Sequence, residues 1–174
     1  MNNNRINKDE LLYLLQEFDL KLQNKITIVG VGGTAMTLLG VKADTKDVDF
    51  IIPSTDDYEE FMLVMNLIKP NIRIDVFKLD MILSEILPPD YLKIAIKYTD
   101  VKFSKINLYM LNPIDIICSK IARLNESDIK DIKTCISHYN ITKSQIQQRA
   151  MQYEHAGSDE SYYQGVEYVL KNLF

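Results

Sequence analysis

The sequence predicts an α/β (α+β) chain, with a small mixed sheet and flanking helices followed by a C-terminal helical bundle. Short β-branched runs alternate with helical patterns in the first part of the chain, and only helical patterns follow Pro113. The chain has 174 residues and is 47% hydrophobic, which suits one compact domain with a helical appendage. We therefore expect a core at residues 1–111 and a helical region at residues 112–174.

The first part of the chain predicts helices and strands in alternation. Apolar side chains recur every three or four residues from Lys8 to Leu22, which predicts a helix. A β-branched run from Ile26 to Val31 ends in glycines and predicts a strand. The same rules predict a helix over Thr34–Leu39, a strand over Val48–Ile52, a helix from a Ser54 or Thr55 cap to Ile68, a strand over Ile72–Phe77, a helix over Asp80–Leu87 and a strand over Ile106–Leu111. The pattern over Tyr91–Val101 is ambiguous.

The remaining residues predict four helices: Pro113–Leu124, Ser127–His138, Thr142–Tyr153 and Asp159–Leu173. Ser127 and Thr142 are the expected N-caps, because a hydroxyl can accept a hydrogen bond from the first helical turn. Gly157 is expected to separate the last two helices.

The overall charge and hydropathy exclude some classes of function. The formal net charge is -4, which argues against tight nonspecific binding of DNA. No segment approaches the length of a membrane span, and the N-terminal residues have no apolar signal core. We therefore expect a cytoplasmic protein without a membrane partner.

Three aspartates occupy positions that favour a shared site. Residues two apart in a strand point to the same face, so Asp47 and Asp49 project together. Asp75 interrupts a separate apolar run and projects away from the core of its own strand. If the two strands are neighbours, the three carboxylates converge. They would then repel one another unless a hard cation such as Mg²⁺ neutralised them.

A glycine turn precedes the aspartates. Gly32 and Gly33 let the backbone approach a phosphate closely, and Thr34 adds a hydroxyl. The segment Gly30–Ala35 also fits a loose dinucleotide-binding fingerprint, but the helix before Asp47 is too short for the crossover of that fold. Taken singly, each feature has a simpler explanation, since Asp-x-Asp is common in surface caps and Gly-Gly in turns. Their order and spacing together favour a site for a metal ion and a nucleoside triphosphate.

This arrangement resembles the signature of the DNA polymerase β-type nucleotidyltransferase superfamily. That signature has an apolar residue and a Gly-Gly or Gly-Ser pair, a gap of roughly nine to thirteen residues, two acids separated by one apolar residue, and later a third acid between apolar residues. Here the parts are Val31-Gly32-Gly33, a gap of thirteen residues, Asp47-Val48-Asp49-Phe50 and Ile74-Asp75-Val76.

A longer string is similar to small prokaryotic members of the superfamily, which include minimal nucleotidyltransferases and toxins of the abortive-infection type. It comprises Gly33-Thr34-Ala35-Met36, Gly40-Val41-Lys42 and Thr45-Lys46-Asp47-Val48-Asp49. The resemblance covers roughly residues 26–135. Many toxin members place an arginine just before the Thr-x-Asp-x-Asp string, where this chain has Ala43 with Lys42 before it. The resemblance assigns no role to Arg73.

The resemblance implies a nucleotidyltransferase fold and transfer of a nucleoside monophosphate from an NTP to a hydroxyl, with release of pyrophosphate. It implies two Mg²⁺ ions, for which Mn²⁺ can substitute. The implied acceptors are an RNA 3′ end, particularly of tRNA, a protein side chain, or a small molecule such as an aminoglycoside. The similarity to small toxins favours RNA or protein, with a cognate partner protein in a toxin–antitoxin setting. The implied catalytic and metal-binding residues are Asp47, Asp49 and Asp75, and the implied nucleotide-binding residues are Gly32, Gly33, Thr34, Lys46, Lys120 and Arg123.

Two alternatives stay open at this point. Lys120 and Arg123 lie three apart on a helix, so both could reach a triphosphate, but an exposed charged face explains them equally well. The chain could also be a non-catalytic, antitoxin-like module that binds a nucleotide or a partner. Three converging acids favour the enzyme, because a module that only binds has no need of them.

Overall fold

The computed structural model of the chain describes residues 5–78, 81–82, 85–155 and 158–174. The elements before residue 80 are β1 (Ile6–Asn7), α1 (Lys8–Lys21), β2 (Ile26–Gly30), α2 (Gly32–Leu38), β3 (Asp44–Thr45), β4 (Val48–Ile52), α3 (Thr55–Ile68) and β5 (Ile74–Lys78). Those after it are β6 (Met81–Ile82), β7 (Glu85–Ile86), α4 (Tyr91–Ile94), β8 (Ile96–Lys97), β9 (Ile106–Met110), α5 (Pro113–Ile121), α6 (Glu126–Tyr139), α7 (Lys143–Ala150), β10 (Glu154–His155) and α8 (Asp159–Asn172).

The chain divides into two compact units. The sheet unit comprises Met1–Asp80 and Ala95–Met110, and the helical unit comprises Met81–Ile94 and Leu111–Phe174. The predicted division at residues 111 and 112 treats each part as one continuous segment, whereas the helical unit also includes Met81–Ile94.

A five-stranded mixed sheet forms the centre of the sheet unit, with the strand order β5-β4-β2-β9-β8. The strand β2 pairs antiparallel with β4 and parallel with β9, and β4 pairs parallel with β5. The strand β8 pairs antiparallel with β9. This mixed sheet with flanking helices confirms the predicted fold class.

Aromatic packing joins α1 and α3 of the sheet unit to β4. Phe50 in β4 meets the ring of Phe61 in α3 edge-on, with 6.1 Å between the ring centroids. Phe61 in turn stacks on Phe18 in α1 at 4.8 Å. All three side chains are fully buried, so this side of β4 faces the apolar core.

A buried carboxylate ties α1 to the start of β9. Asp19 accepts hydrogen bonds from the backbone N–H groups of Ser104, Lys105 and Ile106, at 2.8, 2.7 and 2.9 Å. The Asp19 side chain thus satisfies three donors in a segment where the chain enters the sheet. A charged acceptor makes such hydrogen bonds stronger than neutral ones.

Paired charges also lie inside the helical unit. Arg149 in α7 donates to both carboxylate oxygens of Asp115 in α5, at 2.6 and 2.9 Å, and its other nitrogen donates to Asp90 at 2.7 Å. Tyr153 adds a hydrogen bond to Asp115 at 3.0 Å. Asp115 is fully buried, so this arrangement fixes α7 against α5 from within the unit.

Some predicted elements are wrong. The helix predicted over Asp80–Leu87 is replaced by β6 and β7, which pair antiparallel with each other, and β7 also pairs with β10. The pairing of β7 with β10 joins residues far apart in sequence, and local helical periodicity does not reveal it. The expected N-cap Ser127 lies inside α6, because the Asn125 side chain caps that helix instead.

Other predicted elements agree with the structure. Thr142 caps α7, and its hydroxyl and the Gln145 side chain form a capping box. The ambiguous segment Tyr91–Val101 contains α4 and β8. The predicted role of Gly157 lies outside the described residues. No helix in the described ranges combines the length and apolar character needed to cross a membrane.

We expect Asp19→Ala to lower the free energy of unfolding by roughly 2–4 kcal/mol, since three backbone donors would lose their charged acceptor. Urea denaturation measures this change. Glu17→Ala is the matched control, because Glu17 is an exposed acid on the same helix. The control should change stability by less than about 0.5 kcal/mol. Equal effects of the two variants would contradict the anchoring role of Asp19.

In the helical unit, we expect Asp115→Ala to destabilise the protein by about 3–5 kcal/mol, because it leaves the buried Arg149 guanidinium without its main partner. The matched control is Asp90→Ala, which removes the partially exposed partner of the same arginine. That variant should cost less than about 1 kcal/mol. Thermal or urea unfolding of both variants gives the comparison, and a larger cost for Asp90→Ala would refute it.

Candidate active site

The register of the sheet brings two of the predicted aspartates side by side. Asp49 in β4 and Asp75 in β5 are direct partners in the parallel pairing. Partners in a sheet project to the same face, and both side chains are partly exposed. The neighbouring Val48 and Phe50 are fully buried, so the aspartates project away from the core.

The glycine turn lies next to Asp49. Gly32 has a φ of 51°, a left-handed conformation that glycine adopts without a steric penalty. A methyl group at Gly32 would lie 3.6 Å from Asp49 Oδ2. The Val31 N–H also donates to the Asp49 carbonyl oxygen at 3.1 Å. The turn between β2 and α2 is therefore in direct contact with the aspartate strand.

Gly33 is fixed as glycine by a different contact. A methyl group at Gly33 would lie only 2.5 Å from Thr45 Oγ1 and 3.3 Å from Thr45 Cβ. The Thr45 hydroxyl itself donates to the Asp47 carbonyl oxygen at 2.9 Å. Any larger residue at position 33 would therefore displace a side chain that holds the backbone of Asp47.

Thr34 fixes the backbone around the first two aspartates. Its hydroxyl accepts a hydrogen bond from the Asp49 N–H at 2.8 Å and donates to the Asp47 carbonyl oxygen at 3.4 Å. The Thr34 side chain is fully buried. In this structure the hydroxyl that the sequence suggested for a phosphate holds the Asp47–Asp49 segment in place.

The N-cap residue of α2, Val31, makes no side-chain hydrogen bond to the first turn of this helix. Six other helices have such an N-cap side chain: Asn7 in α1, Ser54 in α3, Asn112 in α5, Asn125 in α6, Thr142 in α7 and Ser158 in α8. The backbone N–H groups at the start of α2, beside the aspartates, thus lack the N-cap acceptor that the first turn of each of these helices has.

Two lysines lie near the glycine turn or beside Asp47 in sequence. The Lys42 ammonium would lie 3.9 Å from a methyl group at Gly33, so it is close to the turn. In the sequence, Lys42 stands out only as a departure from the toxin pattern. Lys46, which the resemblance assigns to the nucleotide, is exposed just before Asp47. A lysine preceding the Thr-x-Asp-x-Asp string is the one signal that could have identified Lys42.

Arg73, to which the resemblance assigns no role, lies beside Asp75. Its Nε donates to Asp75 Oδ1 at 3.1 Å, and its terminal nitrogen lies 3.0 Å from Asp75 Oδ2. The hydrogen bond and charge of Asp75, followed by the charges of Asp47 and Asp49, raise the pKa of the Arg73 guanidinium. Arg73 therefore interacts electrostatically with all three acids. Its position two residues before Asp75, on the same strand face, was the available signal.

The three carboxylates supply the oxygen donors that a hard divalent cation prefers, and Asp49 and Asp75 have the strand register to share one. As the side chains lie, however, no group of three His, Cys, Asp or Glu residues in the described part of the chain could hold a metal ion. The donor chemistry and register therefore suit Mg²⁺, while the side-chain arrangement, with Asp75 engaged by Arg73, does not complete a site.

Lys120 and Arg123 belong to the helical unit and interact with acids there. The Lys120 ammonium contacts Asp128 at 2.8 Å and Asp131 at 2.9 Å, and its side chain is only 6% exposed. Arg123 is about half exposed and contacts Asp128 at 3.1 Å. Of this pair, only Arg123 lies on an exposed charged face, whereas Lys120 is part of a buried ion-pair network.

Comparison with known proteins identifies a family. The model of a family described as nucleotidyltransferase of unknown function (DUF6036) matches residues 9–168. No curated protein and no solved structure matches the chain significantly. The family match spans both units and includes the glycine turn and all three aspartates. The chain therefore belongs to this family of nucleotidyltransferases of unknown function.

Proposed function

We propose that the protein transfers a nucleoside monophosphate from an NTP to a hydroxyl acceptor and releases pyrophosphate. The observation that carries this proposal is the pairing of Asp49 with Asp75 beside the Gly32–Gly33 turn. Carboxylates beside a turn that a phosphate can approach closely suit the binding of a triphosphate, whose negative charge a cation neutralises. Membership of a nucleotidyltransferase family supports this chemistry.

In the proposed reaction, the acceptor oxygen forms a bond to the α-phosphorus of the NTP. The bond from that phosphorus to the bridging oxygen breaks, and pyrophosphate leaves. Asp75 would take the proton of the acceptor hydroxyl, while Asp47 and Asp49 would join it in holding Mg²⁺ or Mn²⁺. When bound, two such ions supply charge neutralisation and lower the pKa of the acceptor hydroxyl.

The triphosphate would bind at the glycine turn. Gly32 and Gly33 lie in the first turn of α2 and are partly exposed, so a phosphate can approach their backbone closely, and the N-cap residue Val31 makes no side-chain hydrogen bond to this turn. Lys42 and Lys46 add positive charge near the turn. The buried Thr34 supports the turn from beneath, as its bonds to Asp47 and Asp49 indicate. We do not extend this role to Lys120 or Arg123, which are paired within the helical unit.

The signature resembling the DNA polymerase β-type superfamily leads us to propose an acceptor among macromolecules. An RNA 3′ end, particularly of tRNA, or a protein side chain fits the similarity to small abortive-infection toxins. A toxin–antitoxin setting with a cognate partner protein belongs to the same proposal. The net charge of -4 favours selective contact with an acceptor over general binding of nucleic acid.

A second candidate function has its own supporting observation. Arg73 engages Asp75, and the described residues hold no complete metal-binding group. A non-catalytic, antitoxin-like module with the same fold would keep such an ion pair permanently. It would bind a nucleotide or a partner without transferring a nucleoside monophosphate.

We expect the protein to transfer label from an α-labelled NTP to RNA or protein in the presence of Mg²⁺ or Mn²⁺. Asp49→Asn should reduce this transfer by at least about 10²-fold, because it removes a charge that the reaction requires. Asp56→Asn is the matched control, since Asp56 is an exposed acid of α3. The control should retain transfer.

The two functions predict different results in this assay. No transfer to any acceptor, with NTP binding that does not depend on metal, would refute the enzyme and support the non-catalytic module. Transfer that Asp49→Asn leaves unchanged would show that another site is responsible. Unfolding measurements on each variant exclude a loss of folded protein as the cause.

The glycine turn yields a separate prediction. Gly33→Ala should abolish metal-dependent NTP binding, because its methyl group would displace the Thr45 hydroxyl that holds Asp47. Adding Thr45→Ala removes the atom at 2.5 Å and should restore part of the binding. Titration with a fluorescent NTP measures both variants. If the double variant binds no better than Gly33→Ala, the clash with Thr45 is not the cause.

A further inference from the structure

Arg73 engages both carboxylate oxygens of Asp75. Its Nε lies 3.1 Å from Oδ1, and a terminal nitrogen lies 3.0 Å from Oδ2. Such two-point contact fixes the orientation of the carboxylate as well as compensating its charge. The third acid of the site therefore already has a cation that the chain itself supplies.

A hydrogen bond holds the backbone of Arg73 in this contact, whereas its side chain is largely exposed. The Arg73 carbonyl oxygen accepts a hydrogen bond from the Val48 N–H at 3.0 Å, which ties its backbone to the start of β4. Its side chain is nevertheless 71% exposed, against 33% for Asp75. The guanidinium can thus leave Asp75 for solvent without disturbing the strand pairing.

The charge of Arg73 also acts on Asp47 and Asp49. In the described residues, no three His, Cys, Asp or Glu side chains lie so that they could hold a metal ion together. A carboxylate oxygen that accepts a hydrogen bond from a guanidinium offers a divalent cation only its remaining lone pair, and the two positive charges would repel each other.

We propose that Arg73 is an internal counter-ion of Asp75 that competes with a divalent cation for this carboxylate and so sets the metal affinity of the site. This inference rests on the proposed function. In the metal-free protein Arg73 holds Asp75, and metal binding exchanges the guanidinium for the ion. Because exposed ion pairs are weak, Arg73 lowers the affinity for metal without abolishing it.

The test is a titration of the full chain with Mn²⁺ alone at low ionic strength, followed through the electron paramagnetic resonance signal of free Mn²⁺. We expect Arg73→Gln to bind Mn²⁺ roughly two- to fivefold more tightly than the original chain. Arg73→Lys keeps the charge but loses the two-point contact, so its affinity should lie between the two.

Lys78→Gln is the matched control for overall charge. Lys78 ends the same strand, and its ammonium lies 5.4 Å from the Tyr58 ring centroid. Since it is three residues from Asp75, it projects to the opposite face. Its removal changes the net charge as Arg73→Gln does, and it should leave Mn²⁺ binding unchanged.

Each outcome decides the question. Tighter binding in Arg73→Gln but not in Lys78→Gln supports the inference. Equal or weaker binding in Arg73→Gln overturns it, and if Asp49→Asn still removes that binding, the proposed function survives. Absence of Mn²⁺ binding in both the original chain and Arg73→Gln overturns the inference, and absence of label transfer as well would overturn the proposed function.

Discussion

The parallel pairing of β4 with β5 is the constraint on which the site depends. It places Asp49 directly beside Asp75, and the same register turns Phe50 into the aromatic core. Side chains alternate between the faces of a sheet, so a slip of one residue would turn Asp75 to the other face. Core packing and the position of the acids are thus fixed by one set of hydrogen bonds.

Polar contacts then set the details within this frame. Thr34 and Thr45 both bind the backbone of Asp47, and the same Thr45 hydroxyl leaves room only for glycine at position 33. The positions of the turn and of the acids are therefore coupled, so that a change in one would shift the other. Asp19 has a comparable effect at the opposite end of the sheet, where it holds the entry to β9. The threonine hydroxyls and the Asp19 carboxylate thereby form hydrogen bonds with backbone N–H and carbonyl groups, which apolar side chains cannot do.

Much of the sheet unit could be predicted, because its strands have clear apolar runs and the phase of each strand fixes the side of its acids. The failures have two causes, strand pairing between distant residues and side-chain contacts between residues near in sequence. The strands β6 and β7 depend on β10, some seventy residues later in the chain, which local periodicity does not report. The burial of Lys120 depends on acids contributed by α6, and Asn125 replaced Ser127 as the cap of that helix. For Arg73 the spacing was visible, but its contact with Asp75 needed side-chain geometry.

The position of β5 in the sheet has a consequence for the durability of the site. This strand ends the five-stranded sheet, with β4 as its neighbour, whereas β4 lies between two strands. A terminal strand can fray without global unfolding, since it is hydrogen-bonded on one side only. Fraying of β5 would carry Asp75 and Arg73 away together and leave Asp49 in place. Amide hydrogen exchange in this strand, more than the melting temperature, therefore measures how long the three acids stay assembled.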